Sequence, residues 1–139
     1  MKRIISGACL VGILVLGISL LTDPTIEADE HEIQELKLAN LLRAELELAE
    51  GIEVIVSMIE VPPETSLPTH YHPGEEFVYI TEGSGTVWQK GKPDIVLKKG
   101  DVFKVPLKQV HTAKTGKEGF KAVVFRVHKK GEPERILTD

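Results

Sequence analysis

Cysteine is nearly absent from this 139-residue chain: its one copy, Cys9, sits inside an apolar run near the N-terminus. Beyond that run there is no thiol, so the rest of the chain carries neither a disulfide framework nor thiol chemistry. A basic stripe is missing too. The 17 Lys and Arg and the 21 Asp and Glu are mixed along the chain, with a net charge of −4. That distribution argues against a nucleic-acid partner. The basic pairs Lys98-Lys99 and Lys129-Lys130 read as solvated turns. There is also no Ser–His–Asp arrangement, internal repeat, low-complexity tract or linker, and almost no helical period.

What is present starts with a targeting signal. Met1-Lys2-Arg3 is basic, Ile4 to Leu21 is uncharged, and Asp23-Pro24 ends the run. This is the pattern of a secretory signal. Residues 1–28 are expected to be that signal, with a cut after Ala28, and the protein is expected to be exported to the periplasm or secreted. The alternative is an uncleaved anchor that holds the protein to the membrane through residues 4–21. Cys9 follows Ser6-Gly7-Ala8 with no leucine three positions before it, so it reads as an ordinary residue of the signal. About 111 residues remain, with 15 basic and 19 acidic side chains. That is enough for one domain with a modest core.

Residues 29–39 are acidic and weakly patterned, and read as an N-terminal arm. From Leu42 the period is two: Leu42, Ala44, Leu46 and Leu48 alternate with Arg43, Glu45 and Glu47, which predicts a strand with one wet face. Further strands are predicted at Ile52–Val61, Glu76–Thr81, Thr86–Gln89, Ile95–Leu97, Val102–Val105, His111–Lys114 and Phe120–Val127. Turn chemistry separates them at Glu82-Gly83-Ser84-Gly85, Lys90-Gly91-Lys92-Pro93, Lys99-Gly100-Asp101 and Gly116 to Gly119. Short strands at such spacing imply an all-β antiparallel sandwich or small barrel over residues 40–128, followed by a tail at 129–139. A small barrel points alternate side chains inward, so residues from distant strands can converge.

Three of the five histidines and a carboxylate provide something to converge. In Thr69-His70-Tyr71-His72-Pro73-Gly74-Glu75-Glu76, positions 70 and 72 of an extended segment point the same way. With His111 downstream they make a nitrogen and oxygen donor set for a divalent transition metal: iron, manganese, nickel, zinc or copper. Glu75 and Glu76 compete for the carboxylate role. Glu76 shares a strand face with Val78 and Ile80, where a charge needs a partner, whereas Glu75 points away. Parity favours Glu76. His31, in the arm, and His128, in the last strand, read as surface or packing histidines.

These residues resemble the two motifs of the cupin superfamily. In the first motif, G-x5-H-x-H-x3–4-E-x6-G, His70, His72, Glu76 and Gly83 fall in place. In the second, G-x5-P-x-G-x2-H-x3-N, Gly100, Pro106 and His111 do. Three positions depart from the pattern: Glu64 and Lys108 replace glycines, and Thr115 replaces asparagine. Lys108 implies either a turn without positive φ or a residue bearing strain. The resemblance implies a jelly-roll barrel in which His70, His72, Glu76 and His111 hold one divalent metal, leaving about two of six positions open. It also implies a homodimer, and Phe77 and Tyr79, on the face opposite the metal, could serve its interface or simply pack. Trp88 reads as core or interface packing.

Two functions follow as expectations. One is a metal-dependent enzyme on a small organic molecule, such as an oxygenase, isomerase, decarboxylase or lyase, since the fold alone does not select the reaction. The other is a non-catalytic module that binds a small ligand or a metal. No residue stands out as a catalytic base.

Overall fold

The computed structural model describes residues 35–138. The expected signal segment, most of the expected arm, Cys9 and His31 lie outside the described residues. Among those described, nine strands form: β1 Lys37–Glu45, β2 Ile52–Val61, β3 His70–Tyr71, β4 Gly74–Gln89, β5 Ile95–Lys98, β6 Val102–Val105, β7 His111–Lys114, β8 Phe120–Lys129 and β9 Ile136–Leu137. They join in one antiparallel sheet in the order β1-β2-β8-β4-β7-β3-β9, with β5 and β6 also pairing with β4. The sheet curls into the expected all-β jelly-roll architecture, and no described residue is helical.

β4 is what turns one sheet into two walls. Its first half pairs with β8 and β6, and its second half pairs with β5 and β7. The sequence predicts a turn at Glu82-Gly83-Ser84-Gly85, and the structure overturns it. The strand runs through these residues, with Ser84 and Gly85 paired to Lys98 and Leu97. A bulge between Ile80 and Glu82 takes up the bend, and Gly83 supplies a φ of 69°. The two glycines serve a corner rather than a reversal. The bulge also shifts parity by one residue. Before it Glu76, Val78 and Ile80 face inward; after it Gly85 and Val87 do, and Glu82 is free to pair outward with Lys121 at 3.0 Å.

The barrel interior is graded from apolar to ionic along its strands. On β8 the inward residues run Phe120, Ala122, Val124, Arg126, His128, and register sets them against Val61, Ile59, Ser57, Ile55 and Glu53 of β2. The apolar end is the core, where Val61, Ile80, Leu97, Phe120 and Ala122 cluster with Val78, Val87 and Phe103 packed on them. Alternation of β-branched and aromatic residues with polar ones produces this by burying one face of each strand. On the outer face Phe77 meets Phe125 edge-on, with centroids 6.5 Å apart. Tyr79 there is half exposed.

β9 and β3 were not predicted. Two-residue strands carry no period of their own, and these exist because His70 and Tyr71 pair with Leu137 and Ile136.

Candidate metal centre

His70 on β3 and His111 on β7 are direct cross-strand partners, which sets their side chains on the same inner face. His72 lies two residues beyond His70, past the end of β3. Its ring therefore returns to that face, 4.9 Å from His70 and 5.2 Å from His111 between centroids. The His70 and His111 rings are 4.4 Å apart. One ring nitrogen from each of the three lies within 4.8 Å of the others, and all three side chains are buried. Glu76 approaches from the other wall of the barrel. Its Oε2 is 3.0 Å from His72 Nε2 and its Oε1 is 3.7 Å from His111 Nε2. Glu75 points outward and pairs with Lys104 at 2.5 Å, so the parity expectation describes both carboxylates.

Each histidine has its tautomer set by a main-chain carbonyl. His70 Nδ1 donates to Pro68 O at 2.7 Å, His72 Nδ1 to Glu134 O at 2.5 Å and His111 Nδ1 to Gln109 O at 2.9 Å. A carbonyl only accepts, so in every ring the proton sits on Nδ1 and the Nε2 lone pair faces the centre. His72 Nε2 is buried with no hydrogen-bond partner. A neutral Nε2 lone pair 3.0 Å from a carboxylate oxygen is repulsive unless a positive species lies between them. Three aimed lone pairs and one carboxylate are the donor chemistry of a divalent transition metal, so the residues fit such an ion.

The electrostatics agree. Burial pushes the His70 imidazole down to about 4, against a smaller opposing effect from the Pro68 carbonyl, and the neighbouring His111 and His72 lower it further. It is neutral and able to ligate at physiological pH. Burial would raise the Glu76 carboxyl. Positive charge on the facing side of His111 and His72, present only when those rings carry a second proton, outweighs it and holds the group well below the usual carboxylate range. Behind Glu76 stands Arg126, 5% exposed, with Nε 3.3 Å from Glu76 Oε2.

A cavity of about 500 Å³ opens onto these groups. Its polar end carries the three histidines, Glu76, Arg126 and Glu134, and its walls include Val78, Val87, Phe103 and Val105.

Sequence reasoning passed over Arg126, Glu134, Glu53 and Ser57. Arg126 had a signal: it continues the inward parity of Phe120, Ala122 and Val124, and a cation on a core face requires a partner. His128 continues the same face. It is 2% exposed, with Nε2 3.4 Å from buried Glu53, so it is a packing histidine away from the three-histidine centre. Glu134 lies past the last predicted strand and had no signal at all.

A jelly-roll barrel with an inner histidine cluster defines a class, and the sequence agrees. The cupin domain model matches residues 57–127, about half of the chain, and the chain belongs to the cupin family. No curated protein matches it. Among solved structures it is similar to the DMSP lyase DddQ from Ruegeria pomeroyi DSS-3, at 27% identity and a TM-score of 0.57 over 61% of this chain and 43% of that one. The chain thus spans less than half the length of the lyase. A cupin superfamily protein from Desulfitobacterium hafniense DCB-2 shares the fold at 19% identity and a TM-score of 0.58, covering 68% of this chain and 79% of that one. A cupin-like protein from Thermotoga maritima MSB8 does so at 23% identity and a TM-score of 0.55, over 74% and 75%.

Proposed function

We propose that this protein binds one divalent transition metal through His70, His72, His111 and Glu76, and uses the adjoining cavity to bind or transform a small organic molecule. The observation that carries the reading is the set of three buried histidines with Nδ1 committed to carbonyls and Nε2 turned to a shared point beside a carboxylate. A bound ion would supply Lewis acidity at coordination positions that the four side chains leave free. The chain's own residues do the rest. The carbonyls of Pro68, Glu134 and Gln109 orient the imidazoles. Arg126 pairs with Glu76 from behind and aims its carboxylate, and the apolar walls exclude water and accept the hydrocarbon part of a ligand. The likeness to a DMSP lyase favours a lyase among the enzyme readings, and the alternative is a binding module that turns nothing over.

The experiment is metal analysis of the purified protein beside a His70→Ala/His111→Ala double variant. Near-stoichiometric metal in the parent and its loss in the variant are expected, and unchanged metal in the variant would sink the assignment. Turnover that requires the metal then separates enzyme from binding module. Ligand-induced thermal shifts without turnover indicate the latter.

A further inference from the structure

We infer that Glu134, in the turn between β8 and β9, is a positioning residue of the histidine centre: its side chain anchors the main-chain carbonyl that holds His72. The inference rests on the metal reading above and concerns how that site is built. The carbonyl in question accepts from His72 Nδ1 at 2.5 Å. It belongs to a turn whose preceding residues, Gly131 to Pro133, are exposed. Such a turn does not by itself keep a carbonyl at one place, because its backbone opens at little cost.

The Glu134 carboxylate removes that freedom. Arg126 Nη1 donates to its Oε2 at 2.8 Å, Asn40 Nδ2 donates to its Oε1 at 3.0 Å, and Arg43 pairs with the same Oε1. The donors close on themselves. Ser57 Oγ donates to Asn40 Oδ1 at 2.6 Å and accepts from Arg126 Nη2 at 3.4 Å. Ser57, Asn40, Glu134 and Arg126 therefore form a ring of hydrogen bonds spanning β2, β1, the terminal turn and β8. Ser57 is fully buried and Arg126 nearly so, which makes the ring strong where it is anchored. Arg126 also touches Glu76, so one guanidinium braces both the carboxylate facing the metal point and the residue behind His72.

The chemical consequence is specific. With the carbonyl in place, His72 keeps its proton on Nδ1 and its lone pair on Nε2. Without it, the ring is free to rotate or to change tautomer, and one lone pair leaves the centre. Glu134 need not touch the ion to govern its affinity.

The test is a competition titration of Zn²⁺ against a chromophoric chelator for the parent, Glu134→Ala, Glu134→Gln and the His70→Ala/His111→Ala variant, with ¹⁵N imidazole spectra of the zinc-free proteins. Glu134→Ala is expected to lower zinc affinity about 10- to 100-fold and to erase the Nδ1–H signature of His72. Glu134→Gln, which keeps one acceptor, is expected to fall between. A folded Glu134→Ala protein with parental zinc affinity and parental His72 tautomer, even with a lowered melting temperature, overturns the positioning role. If that variant does not fold, parental affinity in Glu134→Gln overturns it equally. Zinc retained by the double-histidine variant, or refused by the parent, defeats the metal reading itself and is separate from either result.

Discussion

At Lys108 the backbone sits at a φ of 55°, and at Glu64 at 52°. Both are positions where the cupin motifs carry glycine, so these turns keep the left-handed conformation although the residue there has a Cβ. Their hydrogen bonds explain why it persists: Lys108 N donates to His72 O at 3.2 Å and Glu64 N to Gly116 O at 2.7 Å. Of the two alternatives open for Lys108, strain is the one realised. The left-handed region costs a non-glycine residue about 1 kcal/mol, and both side chains are exposed. Lys108→Gly and Glu64→Gly are therefore expected to stabilise the protein by up to about 1 kcal/mol each, less the extra chain entropy of glycine. Urea denaturation measures this, and a clear loss of stability in both would contradict the strain. Thr115, the third departure, is functional in the loop: its Oγ1 donates to Pro62 O at 2.6 Å and accepts from Thr65 N at 2.7 Å.

The decisive element is β4. Periodicity found its two halves but split them, because Gly-Ser-Gly is turn chemistry in a local window. What keeps the chain extended is pairing with β5 on one side and Phe120 of β8 on the other, and neither partner is local. At the corner a Cβ on Gly83 would lie 2.0 Å from Gly119 O. Gly83→Ala must therefore push β4 off β8 as well as adopt a positive φ, and is expected to cost upward of about 2 kcal/mol. A shift in the denaturation midpoint reads the cost. Parental stability would mean the corner is looser than the close approach implies. Because Glu76 stands seven residues before this corner, its distance to the histidines of the other wall is expected to change as well.

For the molecule as a whole, the site makes stability depend on acid. The His70 imidazole titrates near 6.5 when unperturbed and about 4 in the fold, so between those values the unfolded chain binds the extra proton. Stability is then fully present above pH 6.5 and falls as the pH drops toward 4. The shift corresponds to on the order of 3 kcal/mol. Glu76 and Glu134, both held below the ordinary value of 4.5, act in the same direction: their contribution is present above 4.5 and is lost as the pH falls through their folded values. Metal-free protein is expected to lose denaturant resistance progressively from pH 6.5 to 4, and a flat profile over that window would contradict a buried neutral His70. Added zinc should raise the melting temperature at pH 7 and do so less as acid protonates the ligands, since only the folded state presents the site.

Local pattern by itself determined the periodic strands from Ile52 onward, the inward parity of Glu76 and Val78, and the candidate donors His70, His72 and His111. Those properties depend on side-chain alternation and motif spacing, which are written in neighbouring residues. The same pattern misplaced the first strand, which runs Lys37–Glu45 with both faces exposed and leaves Leu46 and Leu48 in the following turn. Tertiary structure alone decided the continuity of β4, the pairing of β3 with β9, and the brace of Ser57, Asn40, Arg126 and Glu134 behind His72. These join segments from eight residues apart, as Arg126 and Glu134 are, to more than ninety, as Asn40 and Glu134 are. Such contacts exist only once the sheet has curled, and side-chain alternation within a local window does not announce them.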